Sequence, residues 1–133
     1  MMLEKDDLPC FVSEVRDEVS KLLQLPSEDW MQDWPIEVTD SKRIKDFVEG
    51  YALEDRTEHR SAIATLIIAS LDDALGGNEP VSEVLLAQIA VILKQHPELL
   101  GYWARPDSES SMEEFLFSVS PWIRSLGIMS DAR

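Results

Sequence analysis

The chain has 133 residues, of which 26 are acidic and 12 are Lys or Arg, giving a formal net charge of −14. Hydrophobic residues make up 44% of the chain and recur along nearly all of it, which is typical of one folded domain spanning residues 1–133 and excludes wholesale disorder. The negative charge disfavours direct binding to nucleic acid or to an anionic membrane surface, because both attract clustered Lys and Arg.

The sequence shows no pattern that predicts secretion, a membrane span or a reactive cysteine. Residues 4–7 are Glu-Lys-Asp-Asp, unlike the basic start and apolar core of a secretory signal. The longest apolar stretches, 62–71 and 84–93, are shorter than the roughly 20 residues that a bilayer span requires. Cys10 is the only cysteine and has no activating base beside it in the sequence, so we expect a structural thiol. These features predict a cytoplasmic protein without membrane contact.

Apolar residues recur at helical spacing through most of the chain, and hardly any run alternates in the manner of a strand. The first stripe predicts a helix that starts near Pro9 and ends before Pro26. Residues 27–35 are then predicted to form a connector with at most a short helical turn, since a proline ends it. The next stripe predicts a second helix, capped by Thr39 or Asp40.

The middle of the chain predicts a pair of apolar helices. Thr57 is the expected cap of the more apolar one, which ends at the two glycines 76–77 and should lie at the centre of the fold. Residues 78–80 are expected to start the next helix, which ends at His96 and Pro97. Because the glycine turn is short, we expect these two helices to be antiparallel neighbours.

The last third of the chain predicts a helical turn over residues 97–103, a polar loop over 105–111 and a final helix. Ser111 opens a capping-box match for that helix, and Pro121 is expected to kink or interrupt it. The sequence therefore predicts an all-α fold, a single compact bundle of about five to seven helices. A layout of HEAT-like helical pairs is compatible with this pattern.

No catalytic or cofactor motif occurs in the sequence. The five glycines lack the spacing of a phosphate-binding loop, and two histidines are too few for a three-histidine zinc site. One metal hypothesis groups Asp55 and His59 with Asp72 or Asp73, although solvated surface charge is the ordinary role of acidic residues on helices. We therefore expect a protein that is not an enzyme and needs no cofactor, with a metal-dependent helical enzyme as an alternative.

The segment from Pro26 to Asp40, which includes the connector, is the first candidate binding surface, because it combines acidic residues with two tryptophans and contains no Lys or Arg. Tryptophans surrounded by carboxylates can contact a cationic protein, the rings giving desolvated contact and the acids giving steering. The alternative is that both indoles close one end of the core, since tryptophan is highly buried on average. The candidate partner-binding residues of this segment are Glu28, Asp29, Trp30, Asp33, Trp34 and Glu37.

A second acidic area lies where the polar loop enters the last helix. Asp107 and Glu109 are its candidate partner-binding residues. The neighbouring Glu113 and Glu114 need no partner, because acids at a helix N-terminus interact favourably with the helix dipole. The excess of acid as a whole also has a plain alternative explanation, which is solubility.

In its small size, helical pattern, strong negative charge and lack of a catalytic motif, the chain resembles the immunity proteins of bacterial toxin–immunity pairs. The resemblance covers the whole chain in character and assigns no site residue. It implies a tight complex with a cognate basic toxin domain, often a nuclease, whose active site is plugged or whose substrate entry is blocked. A helical adaptor that binds a basic or amphipathic peptide remains open as a different class of function, as does the metal-dependent enzyme.

Overall fold

Six α-helices make up the part of the chain that the structure describes. This computed structural model covers residues 13–26, 34, 38–104 and 118–126, and no strand occurs among them, which confirms the all-α prediction. Within those residues, none of the helices has the length and apolar character needed to cross a membrane. The helices are α1 (Ser13–Leu23), α2 (Ile44–Leu53), α3 (Thr57–Gly76), α4 (Glu83–Lys94), α5 (Pro97–Ala104) and α6 (Ser120–Ser125).

Helix α3 lies at the centre of the fold, as predicted. It contacts α1, α2 and α4, and every residue from 62 to 71 is buried. A helix buried on all sides must satisfy its polar side chains internally. The Thr65 hydroxyl accordingly donates to the Ser61 carbonyl oxygen over 2.9 Å, and the Ser70 hydroxyl accepts the backbone N–H of Asp40 over 3.1 Å.

One hydrophobic core joins the six helices. Each helix contributes at least one fully buried side chain to it, so the helices stabilise one another through shared apolar contacts. The largest fully buried side chains are Val19, Phe47, Ile63, Leu66, Ile67, Ile68, Leu71, Ile89, Leu93, Leu99, Leu100 and Ile123.

The packing of α1 against α2 depends on a glycine. Helix α1 ends at Leu23, before Pro26 as predicted, and Gln24 then takes a left-handed conformation with φ of 58°. Gly50 lies inside α2, and a Cβ atom placed on it would come within 2.5 Å of the Leu23 Cδ2 atom. Glycine weakens a helix interior locally, and here its missing side chain lets Leu23 enter the core.

Helix α2 starts later than predicted. It follows Arg43, which makes no side-chain cap hydrogen bond, so the predicted caps at Thr39 and Asp40 were wrong. The Asp40 carboxylate instead accepts the N–H of Lys42 over 2.9 Å, within the turn before the helix. The Thr39 hydroxyl donates to Asp73 of α3 over 2.6 Å. The side chains of Thr39 and Asp40 therefore hydrogen-bond to α3 and within the turn, respectively, and neither caps α2.

The start of α3 also differs from the prediction. Thr57 is its first residue and not its cap, because Arg56 occupies the cap position and makes no side-chain cap hydrogen bond. The Glu54 carboxylate accepts the backbone N–H of Arg56 over 3.0 Å. An acidic side chain in the connecting turn therefore satisfies the backbone just ahead of the helix.

The turn between α3 and α4 has the predicted glycines but a later helix start. Helix α3 ends at Gly76, and Asn78 takes the left-handed conformation with φ of 57°, which asparagine tolerates better than most residues. The start predicted at residues 78–80 was wrong. Helix α4 begins after Ser82, whose hydroxyl accepts the N–H of Leu85 over 3.1 Å. Helices α3 and α4 contact each other, as expected for neighbours.

Two short helices complete the described fold. Helix α5 begins at Pro97 and matches the predicted helical turn, and it contacts α6. Pro121 lies at the second position of α6, in the first turn, where its missing N–H leaves no helical hydrogen bond unmade. The predicted loop at 105–111 and the capping box at Ser111 lie outside the described residues.

Candidate functional site

Of the eight residues predicted to bind a partner, the structure describes Trp34. This residue is 2% exposed, and its Nε1–H donates to the Pro26 carbonyl oxygen over 3.1 Å. The burial supports the core alternative for Trp34, because a hydrogen-bonded indole inside the protein offers no contact surface. The other seven candidates lie outside the described residues: Glu28, Asp29, Trp30, Asp33, Glu37, Asp107 and Glu109.

Five acidic residues lie on α1, in the turn before α3 and at the start of α3, and Arg56 links two of them. Glu18 of α1 contacts α3 directly, with its Oε1 atom 2.6 Å from His59 Nε2 and 2.8 Å from Arg56 Nη1. Glu14 lies one helical turn before Glu18 and therefore shares its face of α1. The turn into α3 and its first residues add three more carboxylates. We call this group the acidic corner: Glu14, Glu18, Glu54, Asp55 and Glu58.

Arg56 holds two members of the acidic corner in place. Its Nε and Nη2 atoms lie 2.9 Å and 3.2 Å from the two carboxylate oxygens of Glu54, while its Nη1 atom reaches Glu18. A two-point contact between guanidinium and carboxylate is among the strongest hydrogen-bonded pairs in proteins. The hydrogen bond from Arg56 lowers the pKa of Glu54 from 4.5 to about 2, against the opposing effect of burial.

His59 bridges the acidic corner to the interior. The side chain is buried, and its Nε2 atom is the one that meets Glu18. This hydrogen bond is the main cause of a lowered pKa at Glu18, to which the charge of Arg56 adds. The His59 Nδ1 atom is buried and has no hydrogen-bond partner among the described residues, an arrangement that costs stability. We have no physical account of what compensates for it.

The metal site suggested by the sequence does not form. His59 and Asp72 are 13 residues apart on α3, which at 1.5 Å per residue is about 20 Å. The Asp72 carboxylate instead accepts the backbone N–H of Val119 over 2.9 Å and so ties α3 to the start of α6. Across the described ranges, no group of three His, Cys, Asp or Glu side chains is placed to hold a metal ion. The proposed grouping of Asp55, His59, Asp72 and Asp73 was therefore wrong.

The second histidine lines a small open cavity near the same end of α3. The Tyr51 hydroxyl donates to Gln95 Oε1 over 3.0 Å and lies 2.9 Å from His96 Nε2. Which of the two groups donates in the contact between Tyr51 and His96 depends on the tautomer of the imidazole. The cavity has a volume of about 280 Å³ and is lined by Tyr51, Asp55, Thr57, Arg60, Gln95 and His96.

Arg60 links this cavity to the acidic corner. It follows His59 on α3, and its guanidinium carbon lies 4.2 Å from the centroid of the Tyr51 ring. This is a favourable distance for a cation–π contact. Both histidines of the chain, His59 and His96, therefore lie around the first two turns of α3, where neither hydrogen-bonds to a Ser, Thr or Cys of the described residues.

His96 is expected to titrate below pH 6.5. Burial lowers its pKa, although the Glu98 carboxylate, 3.7 Å from Nδ1, opposes this effect. The neutral form is thus favoured by folding, so its contribution to stability is complete above pH 6.5 and declines as the pH falls through the folded pKa. Proton–nitrogen NMR of the imidazole measures the midpoint and the protonated nitrogen. A midpoint above 6.5 would contradict this description.

Comparisons with known proteins assign no family to the chain. None of the protein-family models matches the sequence, and the curated proteins and the solved structures contain no match either.

Proposed function

We propose that this protein is an immunity protein, which binds a cognate basic toxin domain and blocks it with an acidic surface. The observation that supports this most is the acidic corner. There, Arg56 holds the carboxylates of Glu18 and Glu54, and three further exposed acidic residues lie on the same face of α1 or at the start of α3, in a chain that carries a net charge of −14. An arrangement of this kind attracts a cationic surface and repels nucleic acid.

Part of the acidic corner is free to meet a partner. Glu14, Asp55 and Glu58 are exposed, and none of them forms an ion pair within the described residues. Glu18 and Glu54 are already oriented by Arg56. Exposed carboxylates next to a fixed pair can take the positions of nucleic-acid phosphates in the basic groove of a nuclease. Such complementarity raises the association rate to about 10⁸ M⁻¹ s⁻¹ at low salt.

The acidic connector remains a second candidate surface. Asp29 and Asp33 lie in it, together with Trp30. Its acids would add to the attraction that the corner exerts on a basic partner. The two surfaces are distinguished by reversing charge on each one separately.

Capture of the partner is the first test. The tagged protein serves as bait in an extract of the cells that carry its gene, and the bound proteins are eluted by rising salt. We expect a basic protein that elutes as electrostatic attraction is screened. Its nuclease activity on plasmid DNA or RNA should stop when this protein is added in equal amount. If the captured partner is a regulatory peptide or a signalling protein, and this protein inhibits no activity of it, the immunity proposal is wrong and the adaptor alternative is favoured.

Three charge-reversed variants then locate the binding surface. Asp55→Lys with Glu58→Lys alters the acidic corner, and Asp29→Lys with Asp33→Lys alters the connector. Asp46→Lys with Glu49→Lys is the control, because both residues are exposed on α2, outside the acidic corner, and the change in net charge is the same. We expect the corner variant to slow association by about tenfold relative to this control. Equal association rates for all three variants and the wild type would contradict the proposal.

A further inference from the structure

Helix α4 has an exposed apolar face in an otherwise acidic protein. Val84 is 71% exposed and Val91 is 58% exposed, and Ala87 and Gln88 between them are exposed as well. The opposite face of α4 enters the core, where its isoleucines and a leucine are buried. The sequence contains no Asp or Glu between Glu83 and position 98. The exposed face is therefore an uncharged strip about two helical turns long.

A pair of opposite charges flanks this strip. Glu83 lies in the first turn of α4 and Lys94 in the last turn. Both are exposed, and neither forms an ion pair in the part of the chain that the structure describes. The helix dipole favours an acidic residue such as Glu83 at the N-terminus and a basic residue such as Lys94 at the C-terminus. At 100° per residue the eleven steps from Glu83 to Lys94 amount to three turns and about 20°, so both residues lie on the same flank of the strip.

We propose that the α4 strip is the contact surface of a transient symmetric dimer, in which α4 of one copy packs antiparallel to α4 of a second copy of this chain. Val84 and Val91 are equally far from a midpoint between Ala87 and Gln88. A two-fold axis through that midpoint therefore packs Val84 of each copy against the other copy's Val91. The small Ala87 side chain lies near the axis, where the two helices approach most closely.

The flanking charges fit this arrangement. A two-fold axis perpendicular to the helices reverses their direction but keeps the same flanks together. Glu83 lies about 7 Å from the midpoint along the helix axis, and Lys94 lies about 10 Å from it on the other side. In the dimer, each Glu83 is therefore offset by only about 3 Å along the axis from the other copy's Lys94. The contact contains two such ion pairs, one at each end.

Salt separates this dimer from the proposed toxin complex. Two copies with a net charge of −14 repel each other, and added salt screens that repulsion, so self-association should strengthen. A complex with a basic partner should weaken under the same conditions. One helix from each copy covers less than the roughly 800 Å² per partner of a standard complex, which is why we expect a dimer that dissociates on dilution.

Sedimentation velocity tests the dimer. The wild-type chain should show a weight-average sedimentation coefficient that rises with concentration, and more steeply at higher salt. Glu83→Lys alone and Lys94→Glu alone place like charges together, and each should raise the dissociation constant by more than about tenfold. The double variant, Glu83→Lys with Lys94→Glu, should restore dimer formation.

The double variant makes this test decisive. If the two charges acted only through the dipole of their own helix, reversing both would weaken α4 further, and dimer formation would not recover. Leu53→Asp is the control, because it adds an acid at an exposed apolar residue outside α4, and it should leave dimer formation unchanged. A chain that stays monomeric at all concentrations and salts, or a double variant that fails to recover, overturns the proposal. Neither result bears on toxin binding.

Discussion

Replacing Phe47 by alanine is expected to lower the free energy of unfolding by about 3–5 kcal/mol. The Phe47 ring is fully buried on the face of α2 that packs against α3. The guanidinium of Arg43 lies 5.2 Å from the ring centroid and adds a cation–π contact. Removing the ring therefore loses apolar burial and leaves a cavity in the core that joins the helices. Urea unfolding followed by circular dichroism measures the change.

Leu53→Ala is the matched control for this experiment. Leu53 ends the same helix but is 79% exposed, so its truncation should change the stability by no more than about 0.5 kcal/mol. If Phe47→Ala were as mild as this control, α2 would not contribute to the core as the structure describes.

The second large effect is a loss of acid sensitivity in Glu54→Gln. Arg56 lowers the pKa of Glu54 from 4.5 to about 2, so this carboxylate contributes stability that is complete above pH 4.5 and is lost as the pH falls through about 2. Glu54 itself is 7% exposed, but the Arg56 side chain is 54% exposed, which weakens the pair by solvent screening. We expect a contribution of about 2 kcal/mol.

Urea unfolding of both proteins between pH 2 and pH 7 measures this contribution. Glu54→Gln should be less stable than the wild type at neutral pH, and the two curves should converge in acid, where the wild-type carboxyl is protonated as well. Glu58→Gln makes the same chemical change at an exposed residue of the acidic corner and should follow the wild-type profile. Parallel curves for Glu54→Gln and the wild type would show that Arg56 does not hold the Glu54 carboxylate in its charged form.

Local sequence signals placed most helices but not their first turns. The helix ends near Pro26, at the glycines 76–77 and before Pro97 follow from prolines and glycines, which commonly end helices, and these predictions were right. The predicted helix caps were wrong where the polar side chain forms a hydrogen bond with another part of the fold. Thr39 and Asp40 bond within their turn and to α3, and such contacts between elements leave no trace in a local pattern.

The candidate site was less predictable, because its contacts join distant parts of the chain. Glu18 and His59 are 41 residues apart, and Tyr51 and His96 are 45 apart. The packing of α1, α2 and α4 around α3 brings these residues together. A local signal did exist at Glu54-Asp55-Arg56, where charges of both signs precede a helix, but it does not show which carboxylate is buried. The position of Trp34 likewise depends on a carbonyl eight residues away.

Stopped-flow fluorescence at a series of ionic strengths measures the rate of association with the captured basic protein. This measurement shows whether the acidic surface of the chain drives binding. If the acidic surface of this chain recognises a cationic partner, the rate should fall steeply as salt rises. At low salt, the rate should already be lower for Asp55→Lys with Glu58→Lys than for the control variant, Asp46→Lys with Glu49→Lys. A rate independent of salt and unchanged by these substitutions would show that surface charge does not drive binding.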